Sequence, residues 1–250
     1  MNQYESLEER IAASKLAKAG SDDYRAFVGP PAQFDFMGAT QFALLYMLGI
    51  REEHNVLDVG CGSLRAGRLL IPFLLPGRYH GSDPNQRIVE EYIDSEIGKE
   101  IIQKRQPKFY FTDSTRYAEI REDFDFIVAQ SVLSHTGGDM IDGFIEGASN
   151  ALGANGQFLF TVLDETAPNY DRLARGPEAP GWHYPTCVTY RSSDILARCE
   201  RHGLVAQKLG WFHPRQSWYR AVNDRTQLLS PGDIALTGTG RPLFDDRFKS

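Results

Sequence analysis

The sequence has few cysteines, no long apolar run and no signal for export. Its cysteines, Cys61, Cys187 and Cys199, show no CxxC spacing and no neighbouring histidine, which argues against a metal site and suits a reducing compartment. No apolar run reaches the roughly 18 residues of a membrane span. The N-terminal residues MNQYESLEER lack the order of a signal peptide. We therefore expect a soluble, cytoplasmic protein with no metal and no membrane partner.

Basic runs and repeats are also absent. The chain carries 27 Lys and Arg against 33 Asp and Glu, a formal charge of -6, so phosphate backbones gain no general attraction and a nucleic-acid partner is disfavoured. Hydrophobic residues make up 42% of the 250 residues and charged residues 24%, close to globular averages. This length allows one large domain with appendages.

What the sequence does contain is an alternation of β-rich and helical segments, which predicts an α/β fold with a largely parallel sheet. We predict strands over 55–60, 78–83, 108–113, 124–130 and 156–163, and an antiparallel hairpin over 204–212 and 217–223. We predict helices over 5–19, 39–49, 65–75, 87–98, 140–152 and 192–203, with Pro72 kinking the third or ending it early and Ser193 capping the last.

Three parts follow from this pattern. Residues 1–50 are N-terminal helices expected to cover a ligand site, 51–223 form the core, and 224–250 form a tail. The stretch 164–190, hereafter the lid, is rich in Pro, Gly and aromatics and is longer than most loops in compact domains. We predict that it covers a substrate.

A glycine motif follows the first strand. The sequence DVGCG places Asp58 just ahead of Gly60, Cys61 and Gly62, at the carboxyl end of a strand where ligands of open α/β sheets bind. The glycines let the backbone approach a ligand closely. Asp83, about twenty residues beyond Gly62, ends the second strand, where a carboxylate can accept hydrogen bonds from both ribose hydroxyls. Together these positions predict an adenosine-type ligand.

The motif argues against a dinucleotide dehydrogenase. Such an enzyme carries glycine or alanine at the third glycine position of GxGxxG, where this chain has Arg65. In its DVGCG motif the chain resembles the class I S-adenosylmethionine-dependent methyltransferases. The resemblance spans roughly residues 40 to 223 and departs at Leu64, where many members carry a third glycine. It implies a Rossmann-like three-layer sandwich whose mostly parallel seven-stranded sheet has an antiparallel terminal strand. It also implies that S-adenosyl-L-methionine is the cofactor and S-adenosyl-L-homocysteine the product.

The resemblance carries specific residues with it. Asp83 is the ribose acid, Asp113 lies near the adenine, and we predict that Arg65 contacts the ligand's carboxylate. The full predicted cofactor set is Asp58, Gly60, Cys61, Gly62, Arg65, Asp83, Pro84, Asp113, Ser114, Gln130 and Ser131. Ordinary structural roles stay open: a capped strand-to-helix turn for the glycine motif, turn chemistry for Asp83 and Pro84, and an N-cap for Asp113.

Two histidines are candidate bases, because imidazole titrates near neutral pH. His135 follows the fourth strand, where the resemblance places the transferred methyl group, and His183 in the lid is the reserve. Rings at Phe36, Trp182, Tyr184 and Tyr190 suit an organic acceptor. The alternative for His135 is that it only hydrogen-bonds the loop or packs beneath it, and the alternative for the lid aromatics is that they pack on one another.

We therefore predict methylation of a small organic acceptor, with oxygen ahead of other atoms because bases are available. Other S-adenosylmethionine chemistry and a non-catalytic cofactor-binding module are the alternatives, since a fold does not fix a reaction. The acceptor's identity and the oligomeric state, a homo-oligomer included, are left open by the sequence.

Overall fold

A computed structural model describes residues 6–120 and 122–238 of the chain. All seven predicted strands form in this described part, and most lie within a few residues of their expected bounds. They are β1 (Val56–Val59), β2 (Tyr79–Ser82), β3 (Lys108–Tyr110), β4 (Phe124–Ala129), β5 (Leu152–Val162), β6 (Val205–Leu209) and β7 (Ser217–Val222).

The helices of the described residues alternate with these strands. They are α1 (Leu7–Ser14), α2 (Tyr24–Phe27), α3 (Phe34–Met47), α4 (Gly67–Phe73), α5 (Gln86–Tyr92), α6 (Lys99–Arg105), α7 (Gly138–Ala151), α8 (Ser192–Arg201) and α9 (Pro231–Thr237). A π-helical turn, Ile93–Ile97, joins α5 to α6, and short 3-10 turns lie at Pro31–Gln33, Tyr117–Ile120, Leu133–His135, Tyr170–Arg172 and Arg225–Gln227.

The strands form one sheet in the order β3-β2-β1-β4-β5-β7-β6. The pairs β2–β3, β1–β4 and β4–β5 are parallel, and β7 runs antiparallel to both β5 and β6. Because β7 lies between β5 and β6, the predicted hairpin turns back into the sheet. The Rossmann-like fold class and the antiparallel terminal strand are confirmed.

The described residues divide into two compact units, one made of residues 6–54 with 60–113 and the other of 55–59 with 114–120 and 122–238. The first unit holds β2, β3 and the helices α1 to α6. The second holds β1, β4, β5, β6 and β7, with α7 and α8 packed on an apolar core. That core includes Ile127, Ile145, Phe158, Phe160, Ile195 and Tyr219.

Several boundaries differ from the sequence prediction. The turn at Pro31–Gln33 leads directly into α3, so this helix begins at Phe34, five residues earlier than predicted; a proline is well suited to a helix start. Helix α4 ends at Phe73, directly after Pro72, which supplies no backbone N–H. Helix α6, between Gly98 and a left-handed Gln106, was not predicted because its seven residues contain only two apolar side chains.

The prediction that Ser193 caps α8 was wrong. The helix begins at Ser192 after Arg191, and the Glu165 carboxylate accepts the Ser192 N–H at 2.8 Å, so a side chain from the lid satisfies the helix end instead.

The two chain ends are only partly described. Helix α1 is shorter than the predicted 5–19, and Ser6 caps it in a capping box with Glu9. Residues 1–5 of the predicted N-terminal part and 239–250 of the predicted tail lie outside the described residues. Among the described helices, none has the length and apolarity to cross a membrane.

Candidate functional site

The glycine loop, Gly60 to Gly62, leaves the end of β1 in a conformation that favours glycine. Gly60 and Gly62 have φ of +63° and +52°. The Gly60 and Cys61 N–H groups both donate to the Ser82 carbonyl, at 2.7 and 3.1 Å. The end of β2 therefore fixes the loop that the sequence predicted as the ligand cradle.

Asp83 is bonded to this loop. Its Oδ2 accepts the Gly62 N–H at 2.9 Å, and its Oδ1 accepts the Asn85 N–H at 2.8 Å. Burial raises the pKa of Asp83 above its ordinary value, and the two backbone bonds act in the opposite direction. The carboxylate keeps acceptor capacity for further donors, since each oxygen can accept more than one hydrogen bond.

Arg65 and Leu64 follow the loop. The Arg65 Nη1 donates to the Val28 carbonyl at 2.8 Å, so part of its guanidinium binds the N-terminal segment of the same unit. Leu64 is fully buried and has φ of +55°, a left-handed conformation unusual for leucine. The position where many class I methyltransferases carry glycine therefore keeps the glycine conformation while holding a leucine.

The second unit places Gln130 and Ser131 at the end of β4. The Gln130 side chain is 7% exposed, and neither atom of its amide has a hydrogen-bond partner among the described residues. Ser131, with φ of +63°, donates its N–H to Thr161 Oγ1 at 2.7 Å. Gln216 completes a ring of hydrogen bonds with these two residues. Its Oε1 accepts from the Thr161 hydroxyl at 2.6 Å, and its Nε2 donates to Ser131 Oγ at 3.1 Å. Backbone strain of this kind is concentrated at functional sites.

The remaining predicted cofactor residues are placed as follows. Asp58 is buried in β1, and Pro84 is exposed at the turn after β2. Asp113 is exposed beyond β3, and the Ser114 hydroxyl accepts the Arg116 N–H at 3.3 Å. No N-cap role for Asp113 is seen, since the next helical turn begins at Tyr117.

His135 lies in the 3-10 turn after β4 and meets the lid. Its Nδ1 is 2.7 Å from the Pro185 carbonyl, an acceptor, so Nδ1 carries a proton and Nε2 is left as the basic nitrogen of the neutral ring. Cys187 Sγ is 3.7 Å from the same Nδ1. The hydrogen bond to Cys187 raises the pKa of His135 above its ordinary value, and burial partly offsets this rise. The same contact lowers the pKa of the Cys187 thiol.

The lid packs on the His135 turn through two aromatic residues. The Tyr190 hydroxyl donates to the Thr136 carbonyl at 2.7 Å, and the Trp182 ring packs against the core of the unit and touches the Gly137 position. His183 and Tyr184 are exposed, Tyr184 at 58%. In the other unit Phe36 is 56% exposed on α3.

A cleft of about 230 Å³ separates the lid from α8. Three arginines line it, two of them held by acids: Arg175 by Asp171 at 2.7 Å, and Arg198 by Asp142. Further lining residues are Tyr170, Gly176, Glu178, Thr189, Tyr190, Arg191 and Asp194. Acids and bases are mixed here, so the cleft is polar without a dominant charge. In the described part of the chain, no three or more His, Cys, Asp or Glu side chains group as a metal site.

Residues 57–158, which contain the glycine loop, Asp83, Gln130 and His135, match the family model described as a methyltransferase domain. Over these residues the chain carries a methyltransferase domain, which is consistent with the class I S-adenosylmethionine-dependent methyltransferase family. No curated protein matches the chain at a significant level.

Solved structures share this fold at low sequence identity. The complex described as DhpI-SAM-HEP is 15% identical, with a TM-score of 0.57 over 88% of this chain and 99% of that one. Magnesium protoporphyrin IX methyltransferase (ChlM) from Synechocystis PCC 6803, with bound SAM, is 16% identical, with a TM-score of 0.55 over 88% and 92%. An S-adenosylmethionine-dependent methyltransferase from Clostridium acetobutylicum ATCC 824 is 14% identical, with a TM-score of 0.55 over 76% and 93%.

The methyltransferase domain contains buried polar atoms that suit its cofactor. The Gln130 amide and the fully buried Ser63 hydroxyl have no partner among the described residues, and a buried polar group without a partner is costly. A bound ligand with donors and acceptors would satisfy such groups. Ser63 directly follows the glycine loop but was not among the predicted residues, and Thr161 and Gln216 were not predicted because no motif contains them.

Proposed function

We propose that this methyltransferase domain methylates a small organic acceptor through a hydroxyl oxygen, with His135 as the base. One observation carries the proposal: the hydrogen bond from His135 Nδ1 to the Pro185 carbonyl, which leaves Nε2 as the proton acceptor. When bound, S-adenosylmethionine supplies an electrophilic methyl group. His135 Nε2 then accepts the proton of the acceptor hydroxyl, which increases the nucleophilicity of its oxygen.

The neighbours of His135 support this role. Because the contact with Cys187 raises the pKa of His135, the imidazole holds an accepted proton more firmly than an ordinary histidine. The Pro185 carbonyl fixes the ring through the nitrogen that does not act as the base. His183 is the reserve base, and its longer contacts, 3.4 Å to the Gly181 carbonyl and 3.5 Å to Thr186 Oγ1, hold it less firmly.

The lid supports an organic acceptor. Trp182, Tyr184 and Tyr190 offer rings on which an organic molecule can pack, and Phe36 is the predicted contribution of the first unit. Among proteins of the same fold, ChlM is named for a small organic acceptor, magnesium protoporphyrin IX. The negative charge of the chain favours such an acceptor over nucleic acid.

The cofactor would be held by residues already described in each unit. In the first unit, the Gly60 to Gly62 backbone, Asp83 and Arg65 are the proposed contacts for its amino-acid and ribose parts, with Cys61 and Pro84 beside them. In the second unit, Gln130 and Ser131 are the proposed polar contacts. Asp58, Asp113 and Ser114 complete the proposed set. Cys61, Cys187 and Cys199 form no disulfide, which supports a cytoplasmic setting.

A calorimetric titration tests the cofactor. We expect the protein to bind S-adenosylmethionine and S-adenosylhomocysteine in the micromolar range, about -8 kcal/mol, and not to bind NAD. Asp83→Ala should abolish binding. Binding of NAD alone, or of no nucleoside ligand, would overturn the methyltransferase proposal in favour of a dehydrogenase or a non-catalytic module.

A pH profile tests the base once an acceptor has been found by screening hydroxyl compounds. Turnover should rise with pH through the pKa of His135, and Cys187→Ser should move this rise to lower pH by weakening the contact that raises the pKa. His135→Asn should lower turnover by roughly 100-fold or more without changing cofactor affinity. Unchanged turnover in His135→Asn would exclude the histidine as the base.

A further inference from the structure

We propose that Arg25 is a positioning residue for the cofactor, because it holds the N-terminal segment 24–29 against the glycine loop. The inference rests on the proposed function in one respect: the loop must be where the cofactor binds. All the residues that carry it belong to the first unit.

The segment touches the loop at Val28. A Cβ atom on Gly62 would lie 2.6 Å from Val28 Cγ1, so the valine side chain occupies the space that a side chain at Gly62 would need. The Val28 carbonyl accepts the Arg65 Nη1 donor at 2.8 Å, which adds a second contact just beyond the loop. Segment and loop therefore form one packed surface, and displacing the segment uncovers Gly62.

Arg25 holds segment 24–29 in place through hydrogen bonds of its buried guanidinium. It belongs to α2 and its side chain is only 1% exposed. The guanidinium binds both Glu96 oxygens, Nε at 2.5 Å and Nη2 at 2.7 Å, and binds Asp35 Oδ2 through Nη1 at 3.0 Å. Its carbon Cζ lies 4.8 Å from the centroid of the Phe34 ring. Such bidentate pairing gives a fixed geometry as well as attraction.

Glu96 accepts hydrogen bonds from two tyrosines as well as from Arg25. It lies in the π-helical turn Ile93–Ile97, a kind of irregularity often found at functional sites. Its carboxylate also accepts the Tyr24 hydroxyl at 2.9 Å and the Tyr92 hydroxyl at 3.0 Å. Two of its donors, Tyr24 and Arg25, come from the N-terminal segment, so Glu96 is the anchor that ties this segment to the rest of the unit.

A buried ion pair of this kind adds little net stability compared with an apolar pair. It does fix one arrangement, because any arrangement that separates the partners leaves a buried charge uncompensated. That property suits a positioning role. The segment is held in one place over the loop, where it would slow the release of a ligand that the loop cradles.

The test measures binding of S-adenosylhomocysteine to purified full-length protein by calorimetry and by stopped-flow dissociation. Arg25→Met should raise the dissociation rate about tenfold or more, since changes of this kind act mainly on dissociation. Hydrogen exchange should become faster in residues 24–29 of the variant. Arg25→Met combined with Glu96→Met removes both charges, so it avoids the uncompensated carboxylate and keeps the test valid if the single variant does not fold.

Arg220→Met is the matched control, because it removes a buried arginine that donates hydrogen bonds to Gln157 and to the Gln227 carbonyl in the other unit. It should leave both binding and exchange of 24–29 at wild-type values. If the wild type binds and the double variant releases the ligand at the wild-type rate, the positioning role is wrong while the proposed function stands. If the wild type itself does not bind, the proposed function fails, and the cofactor role of Arg25 fails with it.

Discussion

The Gly62 N–H donates a 2.9 Å hydrogen bond to Asp83 Oδ2 across 21 residues of sequence. The two residues that the sequence singled out for different parts of one ligand are thus bonded to each other. Any change at Asp83 therefore acts on the shape of the glycine loop as well as on the proposed ribose contact.

Gly62→Ala should weaken cofactor binding by about tenfold or more, and Gly77→Ala should not. Both glycines have positive φ, so each variant loses roughly 1 kcal/mol of stability to backbone strain. Only at Gly62 would the new methyl group collide with Val28, whereas nothing lies within 4 Å at Gly77. Urea unfolding and calorimetry with S-adenosylhomocysteine measure the two effects. Equal affinities in the two variants would contradict the packing of Val28 on the loop.

At Leu64 the glycine variant should be more stable than the alanine variant, the reverse of the usual order of stability. Removing its buried side chain costs about 2–5 kcal/mol in either variant. Leu64→Gly also relieves the strain of φ at +55°, roughly 1–2 kcal/mol, and Leu64→Ala does not. Chemical denaturation should therefore find both variants less stable than the wild type, with the alanine variant the less stable of the two. A more stable alanine variant would mean that the left-handed conformation is not kept.

Gln130→Leu should separate cofactor affinity from stability. The Gln130 amide is buried without a partner among the described residues, so its loss should leave the free protein equally stable or more stable. S-adenosylhomocysteine should stabilise the variant less than it stabilises the wild type, because the stabilisation by a bound ligand grows with the logarithm of its affinity. Thermal unfolding with and without the ligand measures both. A large loss of stability without ligand would show that the amide has a structural role.

Asp164 should make the protein sensitive to acid. This fully buried carboxylate accepts from Lys208 Nζ at 2.8 Å and the Tyr219 hydroxyl at 2.8 Å. Burial alone would raise its pKa, but these donors and Thr166 overcome burial and lower the pKa to about 2. Because the folded pKa lies below the unfolded one, the stabilisation is present above pH 4 and is lost as pH falls through 2, about 2 kcal/mol in all. The stability gap between wild type and Asp164→Asn should narrow over that range, and a constant gap would contradict the prediction.

The sequence predicted the sheet well because its strands are β-rich runs bounded by Gly, Pro or Asp, and it predicted the glycine loop and Asp83 because local motifs mark them. The contacts of Arg25 with Glu96, 71 residues apart, and of His135 with Cys187, 52 residues apart, have no local signal. They depend on tertiary packing, which also supplies Glu165 as the partner for the start of α8. Periodicity alone does not determine such pairings.

The place of β7 in the sheet has a consequence for synthesis of the chain. The strand Ser217–Val222 is made after both β5 and β6, yet it pairs with β5 on one side and β6 on the other. Until it emerges from the ribosome, the apolar strand β5 presents an unpaired edge, which is a hazard for aggregation. A chain that stops before residue 217 should therefore be recovered mainly as insoluble aggregate, although it retains the glycine loop, Asp83 and His135.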